Sequence, residues 1–164
     1  MKKIIIPIIL LIIIIVFPTL YSYLIFEEES YIVNEVESKP ENIEVFFNIN
    51  HINTSDGKIK FNIETNLPNG IQLILTLRNN RDYTAQAKVT VQNGEIISPE
   101  FTNHGGSLER GNYDLKISSS AASLYSEDIK KWIGTSGEFM IGKYIKYDSL
   151  FECNLIEAIF EVVI

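Results

Sequence analysis

The sequence predicts an all-β domain, two packed antiparallel sheets of about seven strands with one short helix, behind a single N-terminal transmembrane helix. Three observations carry this expectation. No charged residue occurs between Ile4 and Phe26. Beyond residue 42, apolar and polar residues alternate with period two in segment after segment, as in strands with one buried face. Turn residues separate those segments at short intervals, which favours sheet packed on sheet.

The uncharged run over 4–26 holds 23 residues, about 35 Å of helix at ~1.5 Å per residue. A hydrocarbon core is roughly 30 Å thick. Its many isoleucines are poor helix formers in water, but in lipid every backbone group must bond internally, so a helix forms anyway. Pro7 lies near the start, where a missing N–H costs little, and Pro18 kinks the last turn and half. Tyr21, Tyr23 and Phe26 suit an interfacial aromatic belt. Lys2 and Lys3 stand on one side of the run and Glu27, Glu28 and Glu29 on the other. The positive-inside rule then keeps residues 1–3 as a cytoplasmic tip and exports the rest. A cleaved signal is the alternative, but its apolar core spans about 7–15 residues and ends at small residues, which this one does not. The expectation is an uncleaved signal-anchor over 4–26 and an acidic spacer over 27–42. The spacer holds Tyr31-Ile32-Val33 as a short strand-like piece, and an extracytoplasmic domain over 43–164 follows it.

Length allows one small domain after the anchor and excludes a multidomain enzyme. With Lys2 and Lys3 set aside, 12 Lys and Arg face 21 Asp and Glu, a net charge of −9. Phosphate neutralisation needs clustered cations, so nucleic-acid binding is disfavoured. The same charge opposes self-association and points to a monomeric domain. Cys153 is the only cysteine, which excludes an internal disulfide. It is expected as a small buried side chain, with a nucleophile or an intermolecular disulfide as alternatives.

The strands follow in order. Ile43, Val45, Phe47 and Ile49 share one face of a first strand, and Ile59, Phe61 and Ile63 one face of a second. Asn66-Leu67-Pro68-Asn69-Gly70 has the chemistry of a tight reversal. Ile71, Leu73, Leu75 and Leu77 face inward on the next strand, and Ala85, Ala87, Val89 and Val91 on the one after. Asn93-Gly94 is a two-residue hairpin signal. It leads to a strand over 95–101 that Pro99 marks as an edge or a bulge. His104-Gly105-Gly106 and Gly111-Asn112 turn the chain into Tyr113, Leu115 and Ile117. One helix interrupts, capped by Ser120 or Ser123 and stopped by Gly134. Its stripe of Tyr125, Ile129, Trp132 and Ile133 is expected to close the open end of the two sheets, with a docking surface as the alternative. Ile156, Ala158, Phe160, Val162 and Ile164 form the inward face of the last strand.

The turn Thr65-Asn66-Leu67-Pro68-Asn69-Gly70, followed by Leu108-x-x-Gly111-x-Tyr113-x-Leu115-x-Ile117, resembles small exported bacterial proteins with immunoglobulin-like β-sandwich domains. The resemblance covers about residues 43–164 and implies that fold. It brings no catalytic residue. The 37-residue stretch between Ile117 and Leu155 is longer than a plain sandwich needs.

No motif carries chemistry. His51 and His104 are isolated in polar segments and read as solvated, far from the converging donors a metal needs. Asp56-Gly57 reads as a turn, not a calcium loop. Ser118-Ser119-Ser120 lacks the Gly-x-Ser-x-Gly frame of a nucleophile. Asn53-Thr54-Ser55 matches a glycosylation acceptor, a pattern that is common by chance. Catalytic, cofactor-binding and metal-binding residues are therefore none, and no cofactor is expected. The function expected is a binding or structural role in the cell envelope. The protein is placed in the cell membrane as a single-pass chain, with its N-terminus cytoplasmic and its domain outside. Its partners are the membrane, through residues 4–26, and another envelope protein, for which strand addition at a sheet edge is one route. The alternatives are a small envelope hydrolase or carbohydrate-active domain using acidic residues, and an inhibitor- or chaperone-like module released by signal cleavage. A carboxylate pair in a concave pocket favours the enzyme; a long exposed apolar edge or patch favours the binder.

Overall fold

Strand formation follows the alternation closely. The computed structural model describes residues 42–79 and 82–164, which fall in one compact unit, Lys39–Ile164. The tip, the anchor and all of the spacer but Asn42 lie outside the described residues. No helix among the described residues is long and apolar enough to cross a membrane. The strands are β1 (Ile43–Glu44), β2 (Phe47–Asn53), β3 (Ile59–Thr65), β4 (Gln72–Asn79), β5 (Thr84–Thr90), β6 (Glu95–Ile97), β7 (Asn112–Ser119), β8 (Met140–Ile141), β9 (Ile145–Asp148) and β10 (Cys153–Val163). A 3-10 turn (Ala122–Leu124) and one helix, α1 (Glu127–Ile133), stand between β7 and β8. The long stretch after Ile117 is thus filled by a turn, a helix and two further strands.

One antiparallel sheet has the order β2-β3-β6 and another the order β5-β4-β7-β10-β9, while β1 runs parallel to β8. Alternate residues of both large sheets turn into one cluster. Ile59, Phe61 and Ile63 come from β3, Leu73, Leu75 and Leu77 from β4, and Tyr113, Leu115 and Ile117 from β7. All nine are buried. The fold is mostly β, as the alternation required, because a pleated strand can bury only every second side chain.

The first strand breaks in two. Between β1 and β2, the Val45 N–H donates to Ile141 O (3.0 Å) and the Phe46 N–H to Asn66 Oδ1 (3.2 Å). The chain thereby leaves β8 and joins β3. Asn93-Gly94 does make the expected turn, with φ of 53° and 76°. Its two arms part after a single bridge, Gln92 to Glu95, because β6 pairs with β3 and not with β5. Gly94 O accepts the Thr65 N–H (2.8 Å), and a Cβ on Gly94 would lie 3.2 Å from Thr65 O. That close approach to β3 draws the chain across. Pro99 marks a bulge, as expected. Ile97 faces Asn62, and Phe101 faces Ile59, so three residues lie against two. The Ser98 hydroxyl makes good the interrupted ladder by accepting the Phe61 N–H (2.8 Å).

Two expectations about the helix are corrected. It begins after Ser126, not after Ser120 or Ser123, and Gly134 ends it. Ile129 and Ile133 are buried and Tyr125 half-buried, but Trp132 is 63% exposed. At 100° per residue, Ile129 and Ile133 define the inward line of a seven-residue helix, and Trp132 stands about 80° to one side of it. Tyr125 precedes the first helical residue, so it never shared the helical period with Trp132.

β10 supplies Ile156, Ala158 and Val162 to the core and pairs with β7 over seven residue pairs. Ile156 and Val162 alone are worth about 3–6 kcal/mol of burial, against a folding margin of ~5–15 kcal/mol. Ending the chain at Asn154 is therefore expected to abolish the cooperative thermal transition followed by circular dichroism. A cooperative melt of that truncated chain would show that β10 is dispensable.

Candidate functional site

The residues singled out by chemistry stay apart. His51, on β2, and His104, in the turn after Phe101, are both exposed. The His51 ring lies 6.3 Å from the Phe61 ring. Cys153 is buried with a free thiol, as its reading as a small core side chain required. The Ser119 hydroxyl accepts the Ile156 N–H (2.9 Å), which ties the start of β10 to the end of β7. Among the described residues no group of three His, Cys, Asp or Glu is arranged to hold a metal.

One polar cleft gathers Asp82, Tyr83, His104 and Glu109 around the entry to β7. Its wall is built by Tyr113, whose hydroxyl donates to Glu109 O four residues earlier (2.9 Å). The Tyr83 and Tyr113 rings meet edge to face at 5.8 Å. Burial pushes the Tyr83 hydroxyl above the ordinary phenol value, so it stays a neutral hydroxyl and not a base. Among the described residues the cleft shows no hydroxyl or thiol bonded to a general base, the pairing a nucleophile needs.

Some carboxylates elsewhere are held by cations. On the outer face of the five-stranded sheet, Lys116 Nζ lies 2.9 Å and Lys146 Nζ 3.2 Å from the two oxygens of Glu157. Hydrogen bonds from Lys116 and then Lys146 hold the Glu157 carboxyl below its ordinary value. Arg78 reaches Asp114 on the same face at 3.3 Å. These are partly exposed pairs, worth at most ~1 kcal/mol. A carboxylate with a depressed pKa is a poor proton donor at neutral pH, so Glu157 does not suit the acid half of a two-carboxylate hydrolase.

The prominent feature is apolar. Four segments meet at one end of the domain. The Ile43 N–H donates to Phe139 O (2.7 Å), and the Phe139 N–H donates to Ile133 O (3.0 Å) at the close of α1. The Asn154 N–H donates to Ser136 O (2.8 Å), and a Cβ on Gly137 would meet Asn154 O at 2.7 Å. The Tyr125 hydroxyl donates to Gln72 O (2.7 Å). The start of the domain, the β3–β4 turn, α1 and the base of the β9–β10 hairpin are thereby fixed together. On these elements Leu124, Trp132, Leu150 and Phe151 are between 60% and 81% exposed. Ion pairs within α1, Lys130 to Glu127 and Lys131 to Asp128, rim the tryptophan with polar groups. The alternative reading of the stripe, a docking surface, is the one the exposure of Trp132 favours. Leu150 and Phe151 escaped the sequence reading because their hairpin was not foreseen.

The lowered folded-state pKa of Glu157 fixes the sign of its pH effect. Its contribution is fully present above the unfolded value of about 4.3 and is lost as pH falls through the lower folded value. The melting temperature of Glu157→Gln is expected to lie below that of the unchanged chain at pH 7 and to converge with it toward pH 3. A gap that persists at pH 3 would contradict the pairing. No protein-family model, curated protein or solved structure matches the chain.

Proposed function

We propose that this is a single-pass, membrane-anchored protein of the bacterial cell envelope whose extracytoplasmic, immunoglobulin-like β-sandwich works by binding another envelope protein. The observation that carries the binding reading is the set of large apolar side chains left in water at the α1 end. A monomeric domain gains by burying such groups, and a partner that covered them would remove their apolar surface from water. Trp132 and Phe151 are side chains of the kind that anchor interfaces, and the rim of ion pairs around Trp132 matches interface anatomy. The immunoglobulin-like reading is supported by the way the chain passes between sheets at β3–β4, β5–β6 and β6–β7. The Tyr113 bond to Glu109 O at the entry to β7 supports it too, for a tyrosine there is a hallmark of such sandwiches. The anchor, its orientation and the compartment rest on residues 1–29 of the sequence: a basic tip, an uncharged run and an acidic flank.

The hydrolase reading has less support, because Glu157 is engaged by two lysines and the polar cleft lacks a paired nucleophile. The released-module reading shares the binding surface and differs only in signal cleavage, which the intact mass of the purified protein decides.

Two outcomes are expected. After a carbonate wash the chain stays in the membrane fraction, and protease added to intact spheroplasts digests the domain; a soluble form starting near residue 27 would contradict the anchor. A photo-crosslinking amino acid placed at 132 in growing cells yields a discrete adduct, while one placed at Gln86, on the polar sheet face, does not. Equal adducts at both positions, or none at 132, would remove the binding reading from the α1 end.

A further inference from the structure

We propose that the outer edge of β10, from Ile159 to Val163, receives an extended strand of a partner protein that carries Lys or Arg between apolar residues. The inference rests on the binding reading only for its use in the envelope; the geometry is separate from the α1 end. Ile164 and Gly111 exchange both backbone bonds, each 3.0 Å. In an antiparallel ladder this fixes the alternation. Val162, Phe160 and Ala158 bond toward β7, while Ile159, Glu161 and Val163 turn their N–H and C=O groups the other way. The previous residue of that outward series is satisfied, since the Glu157 N–H donates to Tyr144 O (2.9 Å). Past that point the chain has left the edge. β9 covers only Cys153 to Ile156, and β8 runs beside β1. Among the described residues no strand meets the outward groups of Ile159, Glu161 and Val163.

An open edge of this length is a template for pairing, and natural edges are usually blunted by Pro, Lys, bulges or brevity. This stretch has no Pro, Lys or bulge, and its one charged residue is Glu161. Ile159 and Val163 are 52% and 69% exposed, and the inward Phe160 is half-buried against Tyr144 (5.5 Å) and Phe47 (6.4 Å). A shallow hollow beside the edge is lined by Lys143, Tyr144 and Phe160. The Lys143 ammonium already covers Tyr144 (4.8 Å to its ring centroid), so inward residues of an added strand would settle over Phe160, and its outward residues would lie opposite Ile159, Glu161 and Val163. Main-chain bonds give affinity in this mode and alternate side chains give selectivity.

Charge decides the occupant. A second copy in the symmetric register that pairs Ile159 with Val163 sets Glu161 against Glu161, and like charges directly opposite destabilise a sheet. The acidic net charge of the chain beyond the anchor adds to that repulsion. A cation flanked two residues away on each side by apolar side chains satisfies the edge instead.

The test uses the full chain in detergent micelles, with hydrogen exchange of the segment 157–163 read by mass spectrometry. The probes are two blocked seven-residue peptides of alternating Val and Thr, one with a central Lys and one with a central Glu. At millimolar concentration the Lys peptide is expected to slow exchange of the segment and the Glu peptide to leave it unchanged. Glu161→Lys should reverse the preference. Val163→Pro removes one outward N–H and no bond to β7, so it should weaken protection and leave the melting temperature unchanged. Trp132→Ser, at the other surface, should not alter protection. In the free chain Glu157, Ala158, Phe160 and Val162 are expected to exchange slowly through their bonds to Tyr144 and β7. Slow exchange of more than those four amides without peptide, equal protection by both peptides, protection by neither, or its loss in Trp132→Ser would each overturn the proposal.

Discussion

β7 is the strand on which the rest of the fold depends, because it is the central strand of the five-stranded sheet and is paired along both sides. From Tyr113 to Ser118 it pairs with β4 on one side and β10 on the other. That position forces Tyr113, Leu115 and Ile117 into the core and puts Asp114, Lys116 and Ser118 on the outer face. Burial of each large apolar side chain contributes roughly 1.5–3 kcal/mol, while an exposed ion pair such as Arg78–Asp114 contributes at most ~1 kcal/mol. Burial therefore sets the register, and the charges follow it. A slip of one residue would invert every side chain on the strand. The Tyr113 hydroxyl bond to Glu109 O fixes where the strand begins.

What happens at the ends of β7 and β10 follows from this. β7 stops at Ser119, and the chain needs a turn, a helix and a hairpin before β10 returns beside it. α1 is too short to bury more than one line of side chains, so Ile129 and Ile133 go in and Trp132 stays out. β10 is longer than β9, so among the described residues the part that pairs with β7 is left with an open far side. The apolar end and the open edge thus both follow from the segment between β7 and β10. Both are the features on which the proposed binding role rests.

Much of this was legible in the sequence, and the limits are physical. Period-two alternation states which face a residue takes, so Ile59, Phe61 and Ile63, or Leu73, Leu75 and Leu77, were read correctly as inward. Alternation says nothing about which strand lies alongside. Asn93-Gly94 announced its turn, yet β6 pairs with β3, because Gly94 closes on Thr65 through tertiary contact. Met140-Ile141 and Ile145 to Asp148 are too short to show a period. Trp132 was misplaced because an i, i+4, i+7 stripe presumes a helix that starts at Tyr125, and α1 starts at Glu127. The open edge of β10 was invisible, since it depends on the hydrogen-bonding parity set by Ile164 and Gly111.

The central claim is that the apolar side chains of the α1 end have no structural role and remain available to a partner. The melting temperature of the full chain carrying Leu124→Ser, Trp132→Ser and Phe151→Ser together measures this directly. Exposed positions away from the core usually change stability by no more than ~0.5 kcal/mol each. A combined shift within roughly 5 °C is expected for a domain of this size. A fall of more than about 10 °C would show that these residues are packed into the fold, and it would contradict the account.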